Sequence, residues 1–323
     1  METGDQAIPF VKKSWIVPLG NKELRLDAFV RRCLPHLSRR QIENAIRANS
    51  FSVGRTTSKK GDRLAGGVEL VFQGPASWLA ANPLPESELG VAVVYEDAAI
   101  LIVNKPAGMA THGFSARDRG TLVNYLVGRW PALVNVGTSR WEPGLVHRID
   151  RETSGLVLIA KTAAAFAALR SQFRRRQVKK IYWALVWGMA RRQGVISFPL
   201  AHDRRDRTRM CAIKGARQVN ERSWNAITRY RTLGQSRGLS LLEIDMETGV
   251  THQIRAHLAA IGHPIVADAL YNRSRSETFD LPRHFLHARS LTIGHPDTGA
   301  LLTVEAELPG ELCKLLERLG IES

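Results

Sequence analysis

Acidic residues are scarce in this chain: 30 Asp and Glu face 46 Lys and Arg over 323 residues, leaving a net charge of +16. Such a field draws polyanions, with nucleic acid and anionic membrane the two large classes. Long apolar runs are absent as well. None approaches the roughly 18–20 residues that a spanning helix needs, and the opening METGDQAIPF has an acidic start without the apolar region of a signal peptide. A cytoplasmic location and no membrane partner are therefore expected. Cysteine is rare: Cys33, Cys211 and Cys313 stand apart without CxxC spacing, which suggests neither a disulfide framework nor a zinc site. The ten histidines show no ligand arrangement; His252 and His257, five apart on an expected helix, do not share a face. Neither a GxxxxGK[ST] loop nor a strand-linked GxGxxG occurs, so phosphate-cradling nucleotide chemistry has no home. The expectation is an enzyme or binding protein for RNA or DNA, without metal or cofactor.

What is present suits about two domains. After an arm or a short strand at 1–20, Leu26, Phe29, Val30, Cys33 and Leu34 recur at helical spacing until Pro35. Ser38 and Gln41 form a capping-box pattern, and Ile42, Ala45 and Ile46 give the second helix its buried stripe. Short strands are expected at 51–53 and 68–72. Residues 75–90 hold three prolines without a period and read as a linker. From Val91 onward short strands dominate (VAVVYED, ILIVNKP, LVLIA, IYWALVWG, SLLEIDME, LTVEAEL), with helices at 162–176 and 252–261. Strands without strict βα alternation predict an α+β catalytic domain over 91–315, its sheet mixed and mostly antiparallel. A tail would follow at 316–323.

The densest polar cluster is GLVHRIDRETSGLVLIAK, residues 144–161. Thr153, Ser154 and Gly155 supply turn chemistry just before an apolar strand. Asp150 lies between Arg148 and Arg151, which favours its ionised form. From the residues alone, Asp150 reads equally as a working carboxylate or as half of a surface ion pair. Tyr182 alternates with Trp183 and Trp187 in a strand, which by itself favours a core tyrosine.

These segments resemble the RluA-type RNA pseudouridine synthases. HRID with TSG is similar to that family's catalytic motif, usually HRLD and TSG. KPAGMATHG (105–113), KKIYWALVWG (179–188), TGVTHQIRAHLAAIGHPIVADALY (248–271) and FLHARSLTIGHP (285–296) resemble its other motifs, in the expected order. The resemblance implies that Asp150 is the catalytic aspartate, Arg255 its basic partner, and Tyr182 the platform for the target base. It also implies that Arg148 occupies space vacated by the flipped nucleotide. Three positions depart from the pattern. Ile149 stands for Leu, Val250 for an arginine, which removes one implied RNA or packing contact, and Ala267 for a glycine. Residues 21–74, through LRLDAFVRRCLPHLSRRQIENAIRANSFSVG and KKGDRL, resemble a small α/β RNA-binding module of the S-four type. There Arg39 and Arg40 would face phosphates rather than form a merely solvated helix start.

The implied reaction converts uridine to pseudouridine in RNA as a monomer, with large-subunit ribosomal RNA the favoured substrate and transfer RNA the next. It breaks a C–N bond and makes a C–C bond with nothing oxidised and no group carried, so it calls for no cofactor. The alternative is an RNA-binding assembly factor or chaperone that retains an inactive synthase fold. Arg170, Arg174, Arg175, Arg176, Lys179 and Lys180 fall within eleven residues without an acid, leading into Tyr182; phosphate contacts are expected there. A second run, Arg204, Arg205, Arg207, Arg209, Lys214 and Arg217, reads equally as phosphate-binding or as solvated surface.

Overall fold

A computed structural model describes residues 10–20, 23–54, 56–80, 82–215, 223–272 and 277–322. Arg217 lies outside them. The chain divides into two compact units, one of residues 1–85 with 113–119, the other of 86–112 with 120–323.

In the first unit, strand β1 (Phe10–Ile16) is followed by β2 (Leu24–Arg25), helices α1 (Leu26–Cys33) and α2 (Arg39–Arg47), and strands β3 (Phe51–Val53), β4 (Thr56–Thr57), β5 (Arg63–Leu64) and β6 (Glu69–Pro75). The expected capping box is formed: Ser38 Oγ accepts from the Gln41 amide, and the Gln41 side chain accepts from the Ser38 amide. Ile42, Ala45 and Ile46 are buried as their spacing requires, together with Leu26, Phe29 and Val30 of α1. They pack over a sheet of order β1-β6-β3-β4, in which Phe51 and Phe72 stand opposite each other with ring centroids 5.4 Å apart. Residues 10–16, within the stretch expected to form an arm or a short strand, are the edge strand of a sheet. Their polar-apolar alternation serves a strand with one covered face.

The second unit contains β7 (Ala92–Glu96), β8 (Ile100–Lys105), α3 (Leu122–Arg129), β9 (Ser154–Ala160), α4 (Ala163–Arg174), β10 (Lys179–Trp187), β11 (Gln193–Ile196), β12 (Leu200–His202), β13 (Met210–Ala212), β14 (Thr228–Ser236), β15 (Leu239–Met246), α5 (Gln253–Ala260), β16 (Leu286–Gly294), β17 (Leu301–Glu305) and α6 (Gly310–Leu319). Its main sheet runs β11-β14-β15-β10-β16-β9-β8-β7, with β17 also on β16. Among the described strands every pairing is antiparallel except β16 with β9. The mixed, mostly antiparallel α+β architecture is as expected.

Two boundaries differ from the sequence reading. Trp78 is buried in the core of the first unit, while Leu89 and Val91 pack on the second, so the 75–90 stretch is divided between two cores. An indole is too large an apolar surface to leave in a solvated linker. The expected tail at 316–323 is also structural: Leu312, Leu315, Leu316 and Leu319 form the buried stripe of α6, and Ile321 follows them into the core. That spacing is the amphipathic period of a surface helix.

The parallel contact between β9 and β16 is short and close. Ser154 and Gly155 register with His287 and Ala288. Gly155 has φ +113°, and a Cβ there would lie 2.3 Å from the Ala288 carbonyl oxygen. Glycine is required by both the backbone conformation and the approach. This junction anchors the loop that carries Asp150.

Candidate active site

Asp150 sits on a turn immediately before β9, closed by the Thr153 amide donating to the Asp150 carbonyl at 3.1 Å. Downstream, Thr153 Oγ1 lies 2.8 Å from His284 Nε2, and Ser154 Oγ lies 2.9 Å from His287 Nδ1. Burial pushes both imidazoles down to about 4, so these partners stay neutral at ordinary pH. Upstream, Thr111 Oγ1 donates to the Ile149 carbonyl at 2.7 Å and Arg151 Nε to the Gly108 carbonyl at 2.8 Å. Lys105 is fully buried, and its ammonium donates to the carbonyls of Pro106, Met109 and Arg151 at 2.8, 2.7 and 3.1 Å. Burial brings its pKa down to about 7. The KPAGMATHG segment is therefore a strap across the Asp150 turn.

Arg255 is the centre of the site. It projects from α5, whose preceding residue His252 takes a left-handed φ of +53°. Its Nη1 donates to Asp150 Oδ2 at 2.9 Å, while Nε and Nη2 fork onto Asp268 at 2.8 and 2.9 Å. The Asp268 side chain has no exposed surface, the Arg255 side chain is 9% exposed, and that of Asp150 is 24% exposed. Burial alone would raise the Asp268 carboxyl; the Arg255 hydrogen bonds reverse that and hold it below the usual range. Burial likewise works against the Arg255 charge, and the two carboxylates overcome it and raise its pKa. The guanidinium also lies 5.1 Å from the Tyr271 ring centroid. Tyr271 is in turn edge-on to His252, whose Nδ1 is 3.1 Å from the tyrosine hydroxyl and whose Nε2 is 3.9 Å from Asp150 Oδ2.

Tyr182 is 4% exposed and belongs to the core of the second unit. Burial raises its hydroxyl pKa and the charge of Asp150 adds to the effect, which puts the ring within the field of that carboxylate. Arg148, exposed on the same turn, lies 3.1 Å from His112 Nε2 and donates to Thr251 Oγ1 at 3.3 Å. The basic candidates fall into two groups. Arg174, Arg175, Arg176 and Lys179 are exposed between the end of α4 and the start of β10. Lys180 is buried: its Nζ donates to the Thr248 carbonyl at 3.2 Å, and burial lowers its pKa to about 8. Alternation along β10 turns Lys180 inward with Tyr182 and Ala184. In the second run, Arg204, Arg205, Arg207 and Lys214 are exposed, whereas Arg209 lies 5.2 Å over the Tyr271 ring. Arg39 and Arg40 are exposed at the start of α2 in the first unit, Arg39 lying 3.5 Å from Glu43.

A family model described as RNA pseudouridylate synthase matches residues 99–260. The chain belongs to that family. An uncharacterized RNA pseudouridine synthase of Synechocystis is 34% identical over 306 residues, 92% of this chain and 89% of that one. The ribosomal large subunit pseudouridine synthase D of Nitrosomonas europaea is 34% identical over 310 residues, 94% of this chain and 86% of the relative. The solved structure of human RNA pseudouridylate synthase domain containing 1 superposes with a TM-score of 0.55 at 25% identity, over 74% of this chain and 98% of that chain. The synthase is thus an isomerase that converts uridine to pseudouridine in RNA.

Several residues of the synthase site escaped the sequence reading. Asp268 is the chief one, although an aspartate inside the apolar run IVADALY had to be paired wherever that run was buried. Gln253 is another: it accepts from Thr248 Oγ1 and the Val250 amide and donates to the Ile227 carbonyl, fixing the 248–250 turn to the sheet. His287 is a third, a buried strand residue of β16. Ala267 has φ +58°, which explains the glycine in the family pattern there; alanine is strained by roughly 1–2 kcal/mol. Among the described residues no group of three or more His, Cys, Asp or Glu is arranged to hold a metal ion, and no helix is long and apolar enough to cross a membrane.

Proposed function

We propose that this synthase modifies large-subunit ribosomal RNA in the cytoplasm as a monomer, with Asp150 as its catalytic carboxylate. The observation that carries the assignment is the fork of Arg255 between Asp268 and Asp150 at 2.8–2.9 Å. A guanidinium locked on one buried carboxylate has a single remaining direction, and it offers that N–H to Asp150. The result is an aimed carboxylate in a partly buried site.

The reaction breaks the bond from uracil N1 to ribose C1′ and joins C5 to C1′. The C5 proton leaves to water and N1 gains one. Asp150 either attacks C1′ or takes the 2′ proton, and both routes use a carboxylate oxygen beside the one that Arg255 holds. Reaching C1′ requires the uridine to leave its stack, at a cost of a few kcal/mol; a face of Tyr182 returns about 1–3 kcal/mol by stacking. Arg148 fills the space the nucleotide leaves. Arg174, Arg175, Arg176 and Lys179 contact phosphates without reading bases, and the first unit acts as an RNA-binding module through Arg39 and Arg40. Several relatives carry the name ribosomal large subunit pseudouridine synthase D, and the charge of +16 suits a polyanionic substrate.

The test uses large-subunit ribosomal RNA and transfer RNA tritiated at uridine C5. Wild type is expected to release label to water from the ribosomal RNA, and Asp150→Ala to release none. Release from transfer RNA alone would move the substrate. Tight, salt-sensitive binding of both RNAs without release from either would make the protein a binding factor instead.

A further inference from the structure

Beside the Asp150 turn lies a cleft of about 520 Å³ whose lining includes none of Asp150, Arg255 and Tyr182. It is bounded by α4, the start of β10, residues 145–148, and the turn after β15. We propose that it is a second nucleotide pocket, which takes the base and phosphate of a residue next to the target uridine. The inference rests on the RNA-modifying reading above and names how a flanking nucleotide is held.

Charge is the first argument. Arg148, Arg170, Arg174, Arg176 and Lys180 line the cleft against Glu142 and Glu247. Both carboxylates are already occupied, Glu142 at 3.0 Å from His112 and Glu247 at 3.4 Å from both Arg176 and Arg229. The surplus among the lining residues is positive.

Lys180 sharpens this. Its Nζ donates to the Thr248 carbonyl and lies 5.8 Å over the Phe173 ring; Asp245 acts on it only through space, and no carboxylate among the described residues forms an ion pair with it. An ammonium offers three donors, and a buried charge whose nearest acid lies beyond pairing distance is costly. An RNA phosphate supplies the missing acceptor. His147 adds a neutral donor. Its Nε2 accepts the Leu158 amide at 2.9 Å, which leaves the ring proton on Nδ1, and among the described residues no protein partner takes that proton. Burial lowers its pKa to about 3, so it stays neutral.

Apart from Asn225 and Thr248, the remaining lining is largely apolar and partly aromatic, as a base requires. Phe173 stacks on the His147 ring at 5.2 Å, Val250 lines the wall, and Trp224 is 45% exposed. The arginine implied at position 250 would have brought another charge; valine leaves an apolar surface. A bare anion site has no use for such a wall, whereas a nucleotide uses both halves. The pocket reaches Arg148, two residues and at most roughly 7 Å along the chain from Asp150. A neighbouring nucleotide spans that distance, and a remote strand is not needed.

The experiment incorporates 4-thiouridine at random into large-subunit ribosomal RNA and transfer RNA, irradiates each complex with the full-length protein, and maps crosslinked peptides by mass spectrometry. Crosslinks are expected at Phe173 and Trp224, in wild type and in Asp150→Asn alike. In filter binding, Trp224→Ala and Arg174→Gln should each weaken the RNA complex, the tryptophan by roughly 5- to 150-fold for one lost stack. The loss should fall on KM rather than kcat, and Lys180→Met should flatten the salt dependence by about 0.7 of a logarithmic unit. If Lys180→Met does not fold, the two surface variants decide. Crosslinks confined to other peptides, with unchanged affinity in the surface variants, would overturn the pocket. Crosslinking needs no turnover, so pocket crosslinks without tritium release would sink the enzymatic reading and leave the pocket standing.

Discussion

A single side chain, Arg255, couples the buried Asp268 to the half-buried Asp150. Replacing it by alanine strands Asp268 in the core, at roughly 3–5 kcal/mol, so loss of activity would be mixed with loss of fold. Arg255→Lys separates the two, because it keeps a charge for Asp268 but has no fork to reach both acids. We expect kcat to fall roughly 10- to 100-fold, the value of one charge-assisted hydrogen bond, with RNA affinity nearly unchanged in filter binding. The neutral histidines beneath the turn set a pH dependence of stability. His284 and His287 titrate near 4 when folded and near 6.5 when unfolded. Between those values the unfolded chain binds more protons, so stability is retained above pH 6.5 and lost as pH falls towards 4. Thermal melts from pH 7 to pH 4.5 should show this decline, by up to about 1.4 kcal/mol per pH unit for each histidine. His287→Gln should make the decline shallower; an unchanged slope would remove His287 from the account.

Elements matter here through their ends. α2 is short, and its start depends on Ser38, whose side chain and Gln41 satisfy each other's amides. Ser38→Ala is expected to destabilise the first unit by about 1 kcal/mol, read as a lower denaturant midpoint with an unchanged slope. α5 starts differently, without a side-chain cap and with His252 in the left-handed region. That conformation is strained by about 1–3 kcal/mol and is held by the Tyr271 contacts. Capping is local in sequence, which is why the Ser38 pattern was readable and the His252 conformation was not: Tyr271 is nineteen residues away.

For the whole molecule the relevant quantity is the positive field. Each phosphate contact contributes a slope of about −0.7 to the logarithm of single-stranded RNA affinity against the logarithm of salt. Replacing Arg174, Arg175, Arg176 and Lys179 together by glutamine should reduce that slope by up to roughly 3 units, measured by filter binding at several salt concentrations. A slope left unchanged would return these charges to the role of solvated surface. Two cores also account for the domain boundaries: Trp78 and Leu89 lie eleven residues apart, Trp78 buried in the core of one unit and Leu89 packed against the core of the other.

Local order and local chemistry were legible in the chain itself. Helix stripes, the capping box, the strand-rich second half and the HRID turn each depend on neighbours within a few residues, where periodicity and rotamer sterics act. Resemblance to a family then assigned roles to Asp150, Arg255 and Tyr182 that their own surroundings in sequence left open. Only the tertiary structure decided which acid shares Arg255, that Lys180 turns inward while Lys179 stays in water, and that α6 closes the second core. Those outcomes depend on burial and on contacts across more than a hundred residues, such as Arg255 with Asp150. The cost of an unpaired charge exists only once the chain has enclosed it.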